Sequence, residues 1–362
     1  MILAHHLTDY ATTLLARMGC AYDEAHTVAE ALVAADLMGV HAHGVACLPD
    51  YYLMITSGRI RIDPDVQIVY QTPSTATVDG DGCLGPIAAK KSMQLAIEKA
   101  RNAGSGWVAV RNSNHFGMAA YYSQMAVEHD MVGITLTNAP ALVAPVHSTS
   151  KMLGTNPIAV AIPANRNPTL LFDFATSALE KGKLDQMTLE NKPICKGIVQ
   201  DAMGNSTTDP STLQRGGALL PLGGDLVHGG HKGFCIGALV DIFSSLFAGA
   251  CFGPFVPPQV AYLPLINAPE GVGVGHFFGA IRTDAFRPTN EFKNAVDQWI
   301  ETFRNAKGIE GSPGVIIPGE EERNTYMRNI KQGIVLESQV VASINQTAQQ
   351  LECPELPYTP DE

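Results

Sequence analysis

The sequence predicts a mixed α/β fold with a helical domain built from both chain ends. Between residues 66 and 285, short apolar runs typical of strands alternate with segments of helical periodicity. The chain has 362 residues and is 46% hydrophobic and 16% charged, so its apolar side chains are sufficient for compact domains. We therefore expect a discontinuous helical domain, residues 1–65 with 286–362, and an α/β domain of residues 66–285.

The individual elements follow from the spacing of apolar residues. The first sixty residues read as helical, with a histidine-rich turn from residue 41 and a helix over 51–60. The stretch 184–230 is polar and glycine-rich, which indicates a long excursion that carries function or flexibility. The expected strands are 66–71, 75–80, 106–111, 132–138, 156–163 and 169–175. The expected helices of the later chain are 87–103, 118–129, 233–250, 290–306 and 338–352.

Charge and cysteine usage exclude several classes of protein. The formal net charge is -11 and no basic run occurs, so nucleic acid and anionic membrane surfaces are not expected partners. No stretch reaches the roughly 18 apolar residues of a membrane span, and the start does not resemble a signal peptide. The seven cysteines are scattered and never form a CxxC pair, as is typical of reduced thiols. We expect a cytoplasmic protein.

A glycine motif after the second expected strand resembles a dinucleotide-binding sequence. Gly80, Gly82 and Gly85 match GxGxxG between a strand and a helix. Asp79 and Asp81, however, place carboxylates where a pyrophosphate would lie. We therefore favour a tight turn over a Rossmann phosphate site.

The segment Asn112-Ser113-Asn114-His115-Phe116-Gly117 joins a strand to a helix. Ligand sites gather at such junctions, and histidine donates and accepts protons near neutral pH. We favour a functional His115 over a helix-capping histidine.

Two histidine pairs have metal-like spacing, His41 with His43 and His228 with His231. Neither pair has a third ligand nearby, so loop or capping roles are favoured over zinc, and no metal is expected. A histidine-metal hydrolase stays a weak alternative.

Two further segments have residues suited to a phosphorylated ligand. Lys232 and Gly233 precede a long apolar helix, where backbone amides and a lysine suit an anion. Asp173 ends a strand and could accept ribose hydroxyls, while Thr176 and Ser177 could hold a phosphate. A surface lysine and a helix-capping aspartate explain these residues nearly as well.

Taken together, the motifs resemble the malate/L-lactate dehydrogenase family, which includes ureidoglycolate, sulfolactate and diketogulonate oxidoreductases. The resemblance extends over residues 43–335 and rests on motifs in the family's order. These are HAHGVACLPDYYLMITSGRI, NSNHFG, GTNPIAVAIP, FDFATS, TTDP, GGHKGF and IPGEEERNTYMRNIKQGI. It implies interconversion of a 2-hydroxy acid and a 2-oxo acid with NAD or NADP, on a fold that is not the Rossmann fold. It also implies a homodimer with the cofactor near the subunit interface.

The resemblance also implies roles for individual residues. His115 and His43 would be the acid-base residue and its partner, in an order that the sequence leaves open. Asn114 and Cys47 would face the substrate. The cofactor would contact a set of residues from three segments: Asp173, Phe174, Ala175, Thr176, Ser177, Lys232, Gly233, Gly319, Glu320 and Glu321.

Cys47 departs from the family pattern. Many members carry an arginine four residues after the motif histidine, where it would bind the substrate carboxylate. Arg111, Lys151 and Arg282 are alternative anchors. The departure also motivates a second hypothesis, a relative that binds nucleotide without turning over substrate.

Overall fold

A seven-stranded mixed sheet forms the centre of the structure, a computed structural model that describes residues 1–266 and 271–358. Residues 267–270 and 359–362 of the two expected domains lie outside the described residues. The sheet strands are β1 (Gln67–Gln71), β2 (Thr75–Asp79), β3 (Ser105–Ser113), β4 (Met131–Thr137), β5 (Ile158–Ile162), β6 (Leu170–Phe174) and β9 (Val274–Arg282). Their order is β1-β2-β3-β9-β4-β5-β6, and only β2 and β3 pair in parallel. The expected mixed α/β fold is confirmed.

Helices cover both faces of this sheet and extend from both chain ends. The helices are α1 (Ala4–Arg17), α2 (Tyr22–Leu37), α3 (Leu48–Thr56), α4 (Gly85–Ala103), α5 (Ala119–Val127), α6 (Lys181–Leu189), α7 (Gly230–Ser245), α8 (Thr289–Arg304), α9 (Glu320–Gln332) and α10 (Ser338–Gln350). A separate two-stranded sheet contains β7 (Val199–Gln200) and β8 (Ala218–Leu219). It lies in the stretch for which the sequence predicted little regular structure. No helix among residues 1–266 and 271–358 is long and apolar enough to span a membrane.

Alternating side chains divide the core between the two sheet faces. Val108 and Val110 of β3 join the main core with α4 and α5, whereas Trp107 and Ala109 pack under α7. This alternation is the period-two pattern of a strand buried on both faces. The sheet is therefore a rigid support for the segment that follows β3.

The two chain ends meet in the main core. Ile2 and Ile334 exchange backbone hydrogen bonds of 3.0 and 2.8 Å. Apolar residues of α1, α2 and α10 belong to the same cluster, which continues into the sheet. In contrast, α8 packs through Ile300 against Leu170 and Ile317 beside β6. The boundaries of the two expected domains stay a prediction.

The central strand β9 is absent from the strands that the sequence predicted. Its first seven residues are all buried, so its sequence VGHFFGAIR shows no alternation of apolar and polar residues. Gly275 and Gly279 further weaken the pattern. Both glycines are needed for packing, because a Cβ at Gly275 would lie 2.0 Å from the Ser244 carbonyl and one at Gly279 2.5 Å from the Trp107 ring.

The tight turn predicted at Gly80 is confirmed. The amides of Gly80 and Gly82 donate to the carbonyls of Arg111 and Asn112, at 2.9 and 2.8 Å. The Asp79 carboxylate accepts hydrogen bonds from the Arg111 and Asn112 side chains and from a turn amide. These hydrogen bonds therefore attach the glycine turn to the end of β3.

Candidate active site

Two histidines and a tyrosine form a hydrogen-bonded row where β3 gives way to α5. His115 Nε2 lies 3.3 Å from His43 Nδ1, and His115 Nδ1 lies 3.0 Å from the Tyr51 hydroxyl. Both histidines are half-buried, and Tyr51 is buried on α3. The structure thus brings together the two predicted histidines, which are 72 residues apart, and adds a tyrosine that the sequence analysis missed.

The backbone before His115 leaves the regular strand geometry. Asn112 has a left-handed φ of 53°, and the pairing register with β9 shifts between Val110 and Ser113. The Asn114 amide donates to the carbonyls of Gly82 and Cys83 at 3.1 and 2.8 Å. These bonds hold the segment in place and use the Nδ2 protons of Asn114. Its expected contact with substrate stays a prediction.

Gly85 allows α4 to begin directly beneath this segment. A Cβ there would lie 2.3 Å from the carbonyl oxygens of both Asn114 and His115. No real side chain tolerates that distance, so the third glycine of the GxGxxG match is required by the His115 backbone.

The turn that carries His43 is built around a buried aspartate. Asp36, on α2, is 0% exposed. Its two carboxylate oxygens accept hydrogen bonds from His41 Nδ1 and from the Val45 amide, both at 2.8 Å. A Cβ at Gly44 would lie 2.2 Å from this carboxylate, so glycine is required there. Asp36 was not predicted as a site residue, because a single acid in an apolar helix has no local signal.

Burial controls the proton affinity of the row. Desolvation lowers the pKa of His115 to about 3, and His43 and His276 act in the same direction. Burial also lowers the pKa of His43 and raises that of Tyr51 well above its ordinary value. At neutral pH the row therefore consists of two neutral imidazoles and a protonated phenol.

Asp173 lies beside the start of α5. Its Oδ2 accepts a 3.0 Å hydrogen bond from the Ala120 amide. Desolvation by the surrounding protein raises the pKa of this carboxyl to about 7, and the nearby Glu180 and Glu322 raise it further. The side chain is nevertheless accessible to solvent. Phe174 next to it is 39% exposed, and Ala175 is half-buried.

Several other predicted cofactor residues have structural contacts. The Thr176 hydroxyl lies within 3.1 Å of the Thr155 and Asn156 carbonyls, and the Ser177 hydroxyl donates to Leu179. A Cβ at Gly233 would lie 2.0 Å from the carbonyl of Leu222. These contacts give each residue a role in packing, whereas the neighbouring Lys232 is exposed. Their roles toward cofactor stay predictions.

The third predicted cofactor segment returns to β6. Gly319, with φ of 88°, packs on Leu171 so closely that a Cβ would lie 2.6 Å from the leucine Cβ. Glu320 pairs with Arg304 and accepts the Ile317 amide at 3.0 Å. Glu321 is exposed at the start of α9.

Cys47 lies in the turn of His43 and packs against the main core. Its thiol is 3.5 Å from the Ala42 carbonyl, and burial raises its pKa far above the ordinary value. Among the three alternative anchors, Arg111 pairs with Asp79 and Arg282 with Asp284. Within the described ranges, Lys151 makes no ion pair, and partial burial lowers its pKa.

The second histidine pair does not converge on a common site. His228 Nδ1 lies 2.6 Å from Asp225, while His231 is exposed on α7. Across the residues that the structure describes, no three His, Cys, Asp or Glu side chains form a group suited to a metal ion. The hydrolase alternative therefore has no ligand set in this part of the chain.

Comparisons with known proteins show what the chain as a whole is similar to. The chain is 38% identical over 347 residues to the malate dehydrogenase of Pyrococcus horikoshii, covering 95% of this chain and 94% of that protein. It is 36% identical to the L-sulfolactate dehydrogenase of Methanocaldococcus jannaschii, covering 93% of each. The solved malate dehydrogenase structure from Entamoeba histolytica superposes with a TM-score of 0.91 at 31% identity, covering 99% of both chains.

These relatives define the protein as an oxidoreductase of hydroxy acids. Membership of a dehydrogenase group also implies a nicotinamide cofactor. The chain belongs to the malate/L-lactate dehydrogenase family, whose model matches residues 2–345. The resemblance that the sequence motifs indicated is thus confirmed.

Proposed function

We propose that this chain is an NAD- or NADP-dependent dehydrogenase that interconverts a 2-hydroxy acid and the corresponding 2-oxo acid. The observation that carries the proposal is the row of Tyr51, His115 and His43 at the junction of β3 and α5. Such a row holds an acid-base group in one tautomer and one orientation.

The hydrogen bonds assign a direction to the row. The raised pKa of Tyr51 keeps its hydroxyl protonated, and this proton is donated to the His115 carbonyl 3.3 Å away, so the hydroxyl oxygen accepts from His115 Nδ1–H. A neutral His115 then has its lone pair on Nε2, which accepts from His43 Nδ1–H. Neutral His43 consequently has a lone pair on Nε2, which makes no hydrogen bond within the part of the chain that is described. We assign this nitrogen as the atom that exchanges a proton with the substrate oxygen.

The space around the two histidines supports this assignment. The cavity beside His115, lined by Tyr51, Asn114 and Pro257, has a volume of only about 10 Å³. That volume holds at most one water, so this cavity is not our candidate for the substrate pocket. Substrate would instead approach from the side of His43, with His115 as its orienting partner.

Burial lowers the pKa of both histidines and so favours the neutral base. In the oxidation direction, neutral His43 takes the hydroxyl proton from the substrate. A substrate carboxylate adds a negative charge, which raises the pKa of a nearby imidazole and stabilises the protonated form. The same proton returns to the substrate oxygen in the reduction direction. The unpaired Lys151 is our candidate for binding that carboxylate.

The residues around Asp173 fit a nicotinamide dinucleotide. The accessible carboxylate of Asp173 can accept ribose hydroxyls, and the exposed ring of Phe174 offers a flat apolar face. Lys232 would supply a positive charge for the phosphates. When bound, the cofactor accepts or donates the hydride. Because Gly80 and Gly85 serve the turn and the His115 backbone, we propose that the cofactor is held without a Rossmann motif.

We further propose that two copies of the chain form a homodimer in the cytoplasm. α7 and the turn after it expose a row of large apolar side chains: Ile236, Leu239, Ile242, Leu246 and Phe247. A second copy would remove this row from water. The seven cysteines are all free, as suits a reducing compartment.

A turnover screen tests the proposal. Oxaloacetate, pyruvate, sulfopyruvate and related 2-oxo acids are offered with NADH and with NADPH, and loss of the reduced-nicotinamide absorbance is followed. We expect turnover with at least one acid, abolished in a variant in which His43 and His115 are both alanine. Tight NADH or NADPH binding without turnover of any acid would instead favour the nucleotide-binding relative suggested by Cys47.

A further inference from the structure

A third histidine lies directly behind the segment that carries His115. His276 is 0% exposed in β9, where it pairs with Val110 on one side and Thr137 on the other. Its Nε2 is 2.8 Å from the Ser113 hydroxyl, and its Nδ1 is 2.7 Å from the Thr137 hydroxyl. Its ring stacks on Phe116 with centroids 4.5 Å apart and an interplanar angle of 12°. His276 thus contacts the residues on both sides of Asn114 and His115.

The surrounding acceptors fix the tautomer of His276. The Thr137 hydroxyl lies 3.0 Å from the Gly275 carbonyl and 3.1 Å from the Asn138 carbonyl. A carbonyl only accepts, so the Thr137 proton points to one of them and its oxygen accepts from His276 Nδ1–H. Burial lowers the pKa of His276 to about 3, so the ring is neutral and its Nε2 has a lone pair. That lone pair accepts the Ser113 hydroxyl proton.

A buried imidazole at this position is costly unless both nitrogens are bonded. The next two residues of β9, Phe277 and Phe278, are buried apolar rings, whereas His276 is a polar ring buried in the same strand. The segment that His276 contacts also needs support, because the left-handed Asn112 and the register shift interrupt its pairing with β9. The bond to Ser113 replaces part of that lost backbone pairing.

We propose that His276 is a positioning residue that holds His115 in line with His43 through the hydrogen bond from Ser113. The inference rests on the proposed function of the histidine pair. The Thr137 bond presents the Nε2 lone pair to Ser113, and the stack on Phe116 restrains the other end of the segment. His276 itself does not touch substrate.

Two variants separate this role from packing. In His276→Gln, the amide oxygen replaces Nε2 and keeps the Ser113 bond. In His276→Asn, the amide nitrogen replaces Nδ1 and keeps the Thr137 bond, so Ser113 loses its partner. Both variants lose the ring and its stack on Phe116, so each controls for the packing loss of the other. Ser113→Ala removes the same bond while leaving the core intact.

The readout is turnover of the best 2-oxo acid, with KM for cofactor measured alongside. We expect kcat of His276→Gln within about threefold of wild type. His276→Asn and Ser113→Ala should each lower kcat about tenfold or more at nearly unchanged cofactor KM, since small displacements of a proton-transfer group cost rate. The double variant Ser113→Ala with His276→Asn should be no slower than either alone. Equal kcat for the Gln and Asn variants, or an unaffected Ser113→Ala, would overturn the proposal.

A second readout does not depend on turnover. Histidine C–H resonances report the titration of His43 and His115 by NMR. We expect Ser113→Ala and His276→Asn, but not His276→Gln, to move these titrations upward, because a loosened segment admits water and relieves desolvation. If the wild type turns over no acid, the proposed function fails while this measurement still decides the positioning role. Identical titrations in all three variants would refute it.

Discussion

Replacing Asp36 with asparagine tests whether the buried carboxylate organises the His43 turn. The carboxylate is 0% exposed and accepts from two donors, His41 Nδ1 and the Val45 amide, each at 2.8 Å. An amide of the same shape has one oxygen for the Val45 amide, and its N–H group pairs with His41 Nδ1 only when that imidazole is neutral, so the hydrogen bonds to a charged carboxylate are lost. Hydrogen bonds to charged groups contribute roughly 1.5–3 kcal/mol each. Because the amide is cheaper to bury than a carboxylate, we expect a loss of about 2–3 kcal/mol in the free energy of unfolding.

The effect on turnover should be larger than stability alone explains. The weakened hydrogen bonds hold the turn of His41 to Val45, so relaxation of this turn displaces His43. We expect kcat to fall about tenfold to hundredfold at temperatures where the variant is fully folded. Urea unfolding and steady-state kinetics measure the two effects. Asp185→Asn is the control, since Asp185 pairs with Lys181 on the surface of α6 and its side chain is 46% exposed.

The pH dependence of the free energy of unfolding provides a second test of the Asp36 carboxylate. The Asp36 hydrogen bond raises the pKa of His41 against the opposing effect of burial. A raised histidine pKa contributes stability that is complete below about pH 6.5 and is lost as pH rises through the folded value. Burial raises the pKa of Asp36 itself, and the stability linked to that shift is lost in a different window, as the pH rises from about 4 through the folded value. We expect wild-type stability to decline above about pH 6.5 more steeply than that of Asp36→Asn.

Three outcomes together would refute this account of the turn. They are an unfolding free energy of Asp36→Asn within about 0.5 kcal/mol of wild type, an unchanged kcat, and an unchanged pH slope. Such a result would mean that Gly44 and the backbone alone hold His43.

The remaining predictions concern the row itself and the departure at Cys47. His115→Ala should lower turnover about 10²–10⁴-fold with little change in cofactor affinity. If the two histidines act as a unit, the double variant with His43→Ala should be only slightly slower than His115→Ala. Losses in kcat that add up across the two substitutions would contradict this. Tyr51→Phe removes the hydroxyl that accepts from His115 Nδ1–H, so kcat should fall about threefold to tenfold with a stability loss of about 0.5–1.5 kcal/mol. Wild-type kinetics in this variant would remove Tyr51 from the row. Cys47→Arg should raise kcat/KM for small 2-oxo acids about tenfold to hundredfold at low salt, by a charge-assisted bond to carboxylate. A large fall in Tm would show that Cys47 is core, and lost activity at unchanged Tm would show that another anchor already binds the carboxylate.

Much of the fold could be predicted because its elements have local patterns. β2, β3 and β4 appear at the expected places, and α4 and α5 begin and end within two residues of the expected bounds. The site at the end of β3 was predicted for the same reason, since a polar segment between a strand and a helix is visible in a short window. The glycine turn before α4 was also predicted, because Asp79 and Asp81 contradict a phosphate site.

The partners of His115 were predicted less well. His43 entered only through the resemblance to a family, and Tyr51, Asp36 and His276 were not predicted at all. Each of these residues is a single polar side chain in an otherwise apolar or unremarked segment. Their roles depend on which segments become neighbours, and no sequence window contains both sides of those contacts.

By itself, the sequence determined the strand and helix periods of the central region, the junction that carries His115, and the family. Only the tertiary structure decided that β9 lies between β3 and β4, and that His43 lies beside His115. Local periodicity sets backbone conformation and the buried face, because it acts through neighbouring residues. The order of strands depends on which distant apolar surfaces exclude water together, and β9, buried along most of its length, has no alternation to indicate its neighbours. The charge and proton state of the histidine row depend on that same burial, so they were fixed only when the chain closed around it.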